Sequence, residues 1–348
     1  MIPTGRFKIP QPITRRTFSR DLACASAAVL ISRQPARSNE KESVVALVQG
    51  SQRPAAIDTA IESLGGIDCQ GKDVLIKGSF NSPHPFPATT HPETLTRIVS
   101  ILKKKNCGAI TLIERSGMGN AGEIWRKLGT VELARHLKIR LLSLDDLPPG
   151  EWLAEELPDS HWKKGVEVPR LLRQDIVLIQ ICNLKTHRFG GHFSASLKNS
   201  IGLIAKYSHS GPRYNYMAEL HSSPDQRLMI AEVNQLFRPQ FLLMDAIQVF
   251  TKGGPESGEV AEPGVVAASS DPVALDAVGL SLLRFHSEAP QQMRAPVFDE
   301  DQLKRAAELG LGAKSADQIR LETGDRPSDN VALRIKAMLS QSAEENKR

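Results

Sequence analysis

Short apolar runs recur along this chain at 44–48, 74–76, 109–113, 139–144, 176–182, 241–244 and 265–268, and most are separated by segments with helical character. Runs this brief, rich in Val, Ile and Leu and without polar alternation, read as strands buried on both faces. Helices are expected at 54–64, 92–105, 121–137, 197–205, 225–237, 272–284 and 300–309. The order predicts an α/β fold, a mostly parallel sheet flanked by helices, in one large domain over 43–325. No internal repeat or Ser/Gly linker divides that domain. A polar, Trp-containing excursion at 148–169, opened by Pro148-Pro149-Gly150, is the candidate insertion. Residues 326–348 are expected to form a charged C-terminal helix and tail.

The 348 residues are 41% apolar and 24% charged, as in ordinary globular proteins, and 5% aromatic, too few for a stacking platform for single-stranded nucleic acid. The longest apolar stretch, 22–31, falls short of the roughly 18 residues of a membrane helix, so no integral membrane segment is expected. The formal charge of +5 is uneven. Residues 1–38 hold seven basic residues against Asp21, leaving 37 basic and 38 acidic residues in the rest. The basicity therefore belongs to the N-terminal segment, and the remainder makes no electrostatic case for binding nucleic acid.

That segment has the order of an export leader. Thr14-Arg15-Arg16-Thr17-Phe18-Ser19 resembles a twin-arginine motif, 22–32 is a weakly apolar stretch, and Ala36-Arg37-Ser38 suits cleavage after Ser38. Export by the twin-arginine machinery to a periplasmic or other extracytoplasmic compartment is the expectation. A basic N-terminal arm is the alternative. The charged residue before Leu22-Ala23-Cys24 argues against a lipoprotein signal. Past the leader stand Cys69, Cys107 and Cys182, with no iron–sulfur or zinc-ribbon spacing. Because each lies in or beside an apolar segment, buried free thiols are expected, with one disulfide as the alternative.

In open α/β sheets, ligands bind beyond the carboxyl ends of the strands. Lys77, Glu114, Lys185-Thr186-His187, Asp245 and Ser269-Ser270-Asp271 follow apolar runs, which places these ionisable and hydroxyl groups on one expected ligand edge. Five ordered segments then bear on family: Thr89-Thr90-His91-Pro92-Glu93; Asn183-Leu184-Lys185-Thr186-His187; Ser196-Leu197-Lys198-Asn199-Ser200-Ile201-Gly202; Asp245 with the later Gly253-Gly254-Pro255; and Ser270-Asp271-Pro272 through Asp276. Their order and spacing resemble the domain of unknown function 362, over roughly 43–325. The family's activity is not established, so the resemblance implies no reaction. Some members add a ferredoxin-like segment, which this chain lacks. Lys77-Gly78-Ser79 also departs from the family's usual Lys-Pro-Asn.

The residues suggest a pocket for a small anionic ligand, a carboxylate or a phosphate. Lys77, His91, Lys185, Thr186, Lys198, Asn199, Gly253, Gly254 and Asp271 are its candidate binding residues, and His187, Asp245 and Asp276 the catalytic candidates. His187 is the expected proton carrier, in redox or acid–base chemistry. Asp276, inside an apolar helix, needs a partner and could orient His187 or pair with Lys185 or Lys198. Asp271-Pro272 reads equally well as a helix cap. A non-catalytic binding protein or redox partner is the competing class. A further alternative is a dinucleotide site, since Gly117-Met118-Gly119-Asn120-Ala121-Gly122 fits the G-x-G-x-x-G pattern between a strand and a helix, with Gly117, Gly119 and Gly122 as its glycines. His187 and His192, like His84 and His91, lack the spacing of common zinc sites, so no metal is expected.

Overall fold

The structure, a computed structural model, describes residues 42–190, 192–287 and 294–341; the leader reading at 1–38 lies outside them. The chain runs β1 (Ser43–Gln49), α1 (Arg53–Ser63), β2 (Val74–Lys77), α2 (Pro92–Lys104), β3 (Ile110–Glu114), α3 (Ala121–Lys127), α4 (Thr130–His136) and β4 (Arg140–Ser143). It continues with β5 (Trp152–Glu155), β6 (Val166–Pro169), β7 (Val177–His187), β8 (His192–Ser194), α5 (Ser196–Asn199), α6 (Tyr216–Ser222), α7 (Gln226–Val233) and β9 (Phe241–Gly253). Last come β10 (Gly258–Ala261), β11 (Val265–Ser269), α8 (Pro272–His286), α9 (Asp301–Glu308), β12 (Ile319–Glu322) and α10 (Arg326–Leu339).

The main sheet has the order β12-β1-β11-β9-β7-β2-β3-β4 and is mostly parallel, an α/β fold. Strand alternation divides the core. Val45, Leu47, Leu75 and Leu178 join the α8 and α10 side, whereas Ala46, Val48, Ile76 and Ile179 pack with Ile57, Ile98 and Leu102 on the α1 and α2 side. Both faces are covered, which is why the strands read as continuous apolar runs.

Several expectations change. β11 runs antiparallel to β1 and β9, so Ser269 pairs with Leu242 near the start of β9, and Asp271 lies at the opposite edge from the other strand ends. There it caps α8, accepting from Val273 and Ala274 N–H groups at 2.8 and 2.9 Å, and also accepts from Ala313 N at 2.8 Å. It is a structural cap and no part of the ligand edge. The helix expected at 121–137 is two, broken at Gly129 with φ of 69°. The helix expected at 197–205 is only α5 followed by a 3-10 turn over Ser200–Leu203.

The 148–169 excursion forms the β5–β6 ribbon, and its Trp162 indole donates to Met229 O at 3.0 Å in α7. Cys69 and Cys107 form a disulfide with Cα atoms 5.4 Å apart, which corrects the expectation of three free thiols. Each precedes a strand, Cys69 before β2 and Cys107 before β3, so the bond ties together two loops at the amino edge of the sheet. Cys182 stays free and buried. No described helix is long and apolar enough to cross a membrane.

Candidate functional site

At the carboxyl edge β7 outruns the apolar pattern that announces it. Lys185, Thr186 and His187 therefore lie on the strand, paired with Ser194, Phe193 and His192 of β8. The two-residue period separates them: Asn183, Lys185 and His187 line a cavity of about 310 Å³, and Thr186 does not. The Thr186 hydroxyl instead donates to Phe250 O at 3.1 Å and lies 3.3 Å from Gly253 O, fastening β9. Gly253 and Gly254 belong to this backbone junction. A Cβ on Gly254 would stand 2.0 Å from Thr186 O, and its φ is 66°, so this position requires glycine for packing rather than for ligand contact.

The cavity floor is an ion pair. Lys77 ends β2 and Glu114 ends the adjacent β3, and the Lys77 ammonium is 2.9 Å from Glu114. It also donates to Gly78 O at 2.6 Å and Asn199 Oδ1 at 3.0 Å. All three ammonium protons are thereby used, so Lys77 contributes charge to the floor and not a free donor. Glu114 also accepts from Phe80 N at 2.8 Å. Burial pushes Glu114 up and Lys77 down from their ordinary values, and the contact between them opposes both shifts. Gly202 lies directly above: a Cβ there would meet Glu114 Oε1 at 2.4 Å and Lys77 Cε at 2.5 Å.

The walls come from α5 and its neighbours. Asn199 lines the cavity, but its Nδ2 donates to Gln180 Oε1 at 3.1 Å and its Oδ1 accepts from Lys77, so it braces the site. Arg115, directly after Glu114, donates to Ile204 O at 2.9 Å and to Ile201 O. Lys185 donates to Ala88 O at 2.5 Å. Lys198 is different: half-buried on the cavity wall, it has no hydrogen bond or ion pair among the described residues. Burial, then the charge of Lys77, brings Lys185 to about 8. Burial, then the charge of Arg115, does the same to Lys198.

The buried His187 Nδ1 has no partner among the described residues. Burial, then Lys198 and Lys185, hold the imidazole well below its ordinary value, so it is neutral at pH 7. His221 completes the wall with its Nδ1 2.7 Å from Met217 O, which makes that nitrogen the donor. Four cationic side chains, Lys77, Arg115, Lys185 and Lys198, thus face one carboxylate, Glu114.

The model of the family described as domain of unknown function (DUF362) matches residues 74–281, from β2 into α8. The chain belongs to the DUF362 family. No curated protein matches it. Solved structures similar to this DUF362 chain include the lactate racemase apoprotein from Thermoanaerobacterium thermosaccharolyticum, at 18% identity and a TM-score of 0.43, covering 70% of this chain and 57% of that one. A protein from Thermotoga maritima is 14% identical with a TM-score of 0.42, covering 80% of this chain and 62% of that one. In both cases the likeness spans less than two thirds of the other chain.

Other residues expected at this DUF362 site lie elsewhere. Asp276 accepts from Ser196 N at 2.7 Å, Ser196 Oγ at 2.5 Å and Leu197 N at 3.1 Å, and so holds the start of α5. Burial lifts its carboxyl to about 7 against those bonds, and it pairs with none of His187, Lys185 or Lys198. It acts on the cavity only by placing the helix that carries Lys198. Asp245 accepts from Arg53 Nε at 2.8 Å and Thr94 Oγ1 at 2.6 Å. Arg53 lines a second cavity of about 380 Å³, with His91 on the same wall. His91 Nδ1 accepts from Glu93 N at 3.1 Å and caps α2.

The glycine loop is engaged within the protein. Asp145 accepts from Ser116 N at 3.1 Å and Ala121 N at 2.9 Å, so these backbone donors at the start of α3 already have a carboxylate acceptor. Gly117, Gly119 and Gly122 have no left-handed backbone, and Gly117 lines the 310 Å³ cavity. Among the described residues no group of His, Cys, Asp and Glu is arranged to hold a metal ion. Sequence reading did not select Arg115 or His221 as site residues. Arg115 directly follows the strand-end Glu114, a signal that was available; His221 had none.

Proposed function

We propose that this protein binds a small carboxylate or phosphate in the cavity between β2, β3, β7 and α5, and that His187 moves a proton on the bound ligand. The observation that carries this reading is the Lys198 ammonium, a cation on the cavity wall without a partner among the described residues. A half-buried charge is costly unless something pairs it, and an anion placed here would do so. Lys185, Lys77 and Arg115 add attraction at longer range. Neutral His187, with Nδ1 unpartnered among the described residues, has a free ring nitrogen facing the cavity that can accept a proton from a bound ligand.

The test is calorimetry and thermal shift with acetate, oxalate, inorganic phosphate and glycerol phosphate. At least one should bind, and both Lys185→Met and Lys198→Met should abolish its binding. Unchanged affinity in both variants would remove the anion site. His187→Ala should lose turnover while retaining the ligand; a protein with no turnover to lose would be a binding module.

The same proposal places the protein outside the cytoplasm after cleavage near Ser38. The Thr14–Ser19 motif supports this, and the Cys69–Cys107 bond fits an oxidising compartment. Replacing Arg15 and Arg16 together by Lys should leave the protein uncleaved inside the exporting host, as read by fractionation. Native mass spectrometry of the exported product would reveal any resident cofactor as excess mass over the denatured chain.

A further inference from the structure

The two lysines of the cavity are not equivalent. Lys185 is tied to Ala88 O, whereas Lys198 has no acceptor among the described residues. Lys198 shares the cavity with Arg115, a buried guanidinium, and with His187, whose Nδ1 is buried and unpartnered. A partly buried amine with no acceptor, lining a cavity beside another cation, is the setting in which lysine becomes a nucleophile rather than a counter-ion. We propose that Lys198 forms an imine with a ligand that carries both a carbonyl and an acidic group, the 2-oxo acids being the simplest class. This rests on the anion reading above and deepens it.

The step balances within the site. The free amine of Lys198 attacks the carbonyl carbon, the π pair moves to oxygen, and that oxygen takes up a proton. The carbinolamine then loses water to give C=N. One amine and one carbonyl become one imine and one water, with no change of oxidation state. His187 is placed to take the proton from the attacking nitrogen and return it to the departing hydroxyl. The ligand's carboxylate is held by Lys185 and Arg115. At about 8, the Lys198 amine is free in a useful fraction at neutral pH, unlike an ordinary surface lysine.

The experiment uses the full protein with pyruvate and sodium borohydride at pH 8, followed by peptide mapping. Borohydride delivers hydride to the imine carbon and fixes the adduct as a secondary amine. The expected result is one reduced pyruvyl group on Lys198, in roughly tenfold or greater excess over any other lysine. It should be absent in Lys198→Arg, which keeps the charge, and suppressed by excess propionate, which has no carbonyl. Because the mapping is done on the unaltered protein, a misfolded variant does not decide the matter. Pyruvate and propionate binding with equal affinity and no trapped adduct would overturn the imine and leave the anion site standing. Labelling spread evenly over surface lysines would also overturn it. Failure of both acids to bind would remove the imine together with the anion site for this ligand class.

Discussion

Two cavities open at the carboxyl edge of this sheet, of about 310 and 380 Å³, with Phe80 lining both. Volume does not separate them, and neither does the presence of ionisable residues. Satisfaction of those residues does. Around the larger cavity the polar groups answer one another: Arg53 with Asp245, Thr94 with Asp245, and His91 with the Glu93 N–H. Around the smaller, Lys198 has no partner among the described residues, and His187 Nδ1 and Asn183 Oδ1 are buried without one. Buried polar groups are normally paired, so three open groups converging on one cavity set it apart from the other. The larger cavity is scaffold with a hollow beside it; the smaller is the candidate site.

This contrast breaks most readily at Asp245. Asp245→Ala leaves the buried Arg53 with only the exposed Glu93, 3.3 Å away, as an ion-pair partner and takes the acceptor from Thr94, and should cost about 3 kcal/mol or more in urea unfolding. Anion affinity should change little in the protein that remains folded; a stable variant that lost the ligand would make the Arg53 cavity part of the site. Removing the Cys69–Cys107 bond, by replacing both with Ser, releases a loop of 38 residues and should cost about 2–4 kcal/mol. Since that bond lies at the amino edge, ligand affinity should again hold. Gly202→Ala should cost about 1–3 kcal/mol by forcing the Lys77–Glu114 pair apart. Here affinity should fall as well, since the pair is the floor of the smaller cavity, and an unchanged ligand isotherm would contradict that assignment.

The sheet was legible because strands covered on both faces leave unbroken apolar runs, and 74–76 and 109–113 became β2 and β3 almost to the residue. Strand extent was not. β7 and β9 continue beyond 182 and 244, where polar residues interrupt the apolar run although Leu184, Ala246 and Val249 still join the core, so the run alone does not mark the strand's end. The alternation that sets Lys185 and His187 apart from Thr186 follows only once that extension is known. The direction of β11 had a signal, since no helix lies between 245 and 264 to carry a parallel crossover. Asp245 and Asp276 were opaque for another reason. Their partners, Arg53 and Ser196, are 192 and 80 residues away in sequence, and nothing local announces an ion pair or a helix cap at that range.

The smallest stability effect expected is also the most diagnostic, because its sign opposes the others. In the folded protein Lys198 titrates near 8, below the ordinary lysine value of 10.5. Below about 8 both folded and unfolded chains carry this proton, and the folded chain bears the whole cost of burying the charge. Between about 8 and 10.5 the unfolded chain binds more proton, so this residue's contribution to stability rises with pH across that window. Lys198→Met removes the burdened charge and should therefore stabilise the empty protein at pH 7 by about 1–2 kcal/mol, with the advantage shrinking toward pH 10.5. The unaltered protein should hold its anion most tightly below about pH 8 and lose affinity above it, as the cation that receives the ligand disappears. Chemical unfolding of both proteins at pH 7 and 10, with calorimetry across the same range, reads the two slopes together. A Lys198→Met variant less stable than its parent would mean that the ammonium is paired in the folded protein, and the distinction between the two cavities would lose its main support.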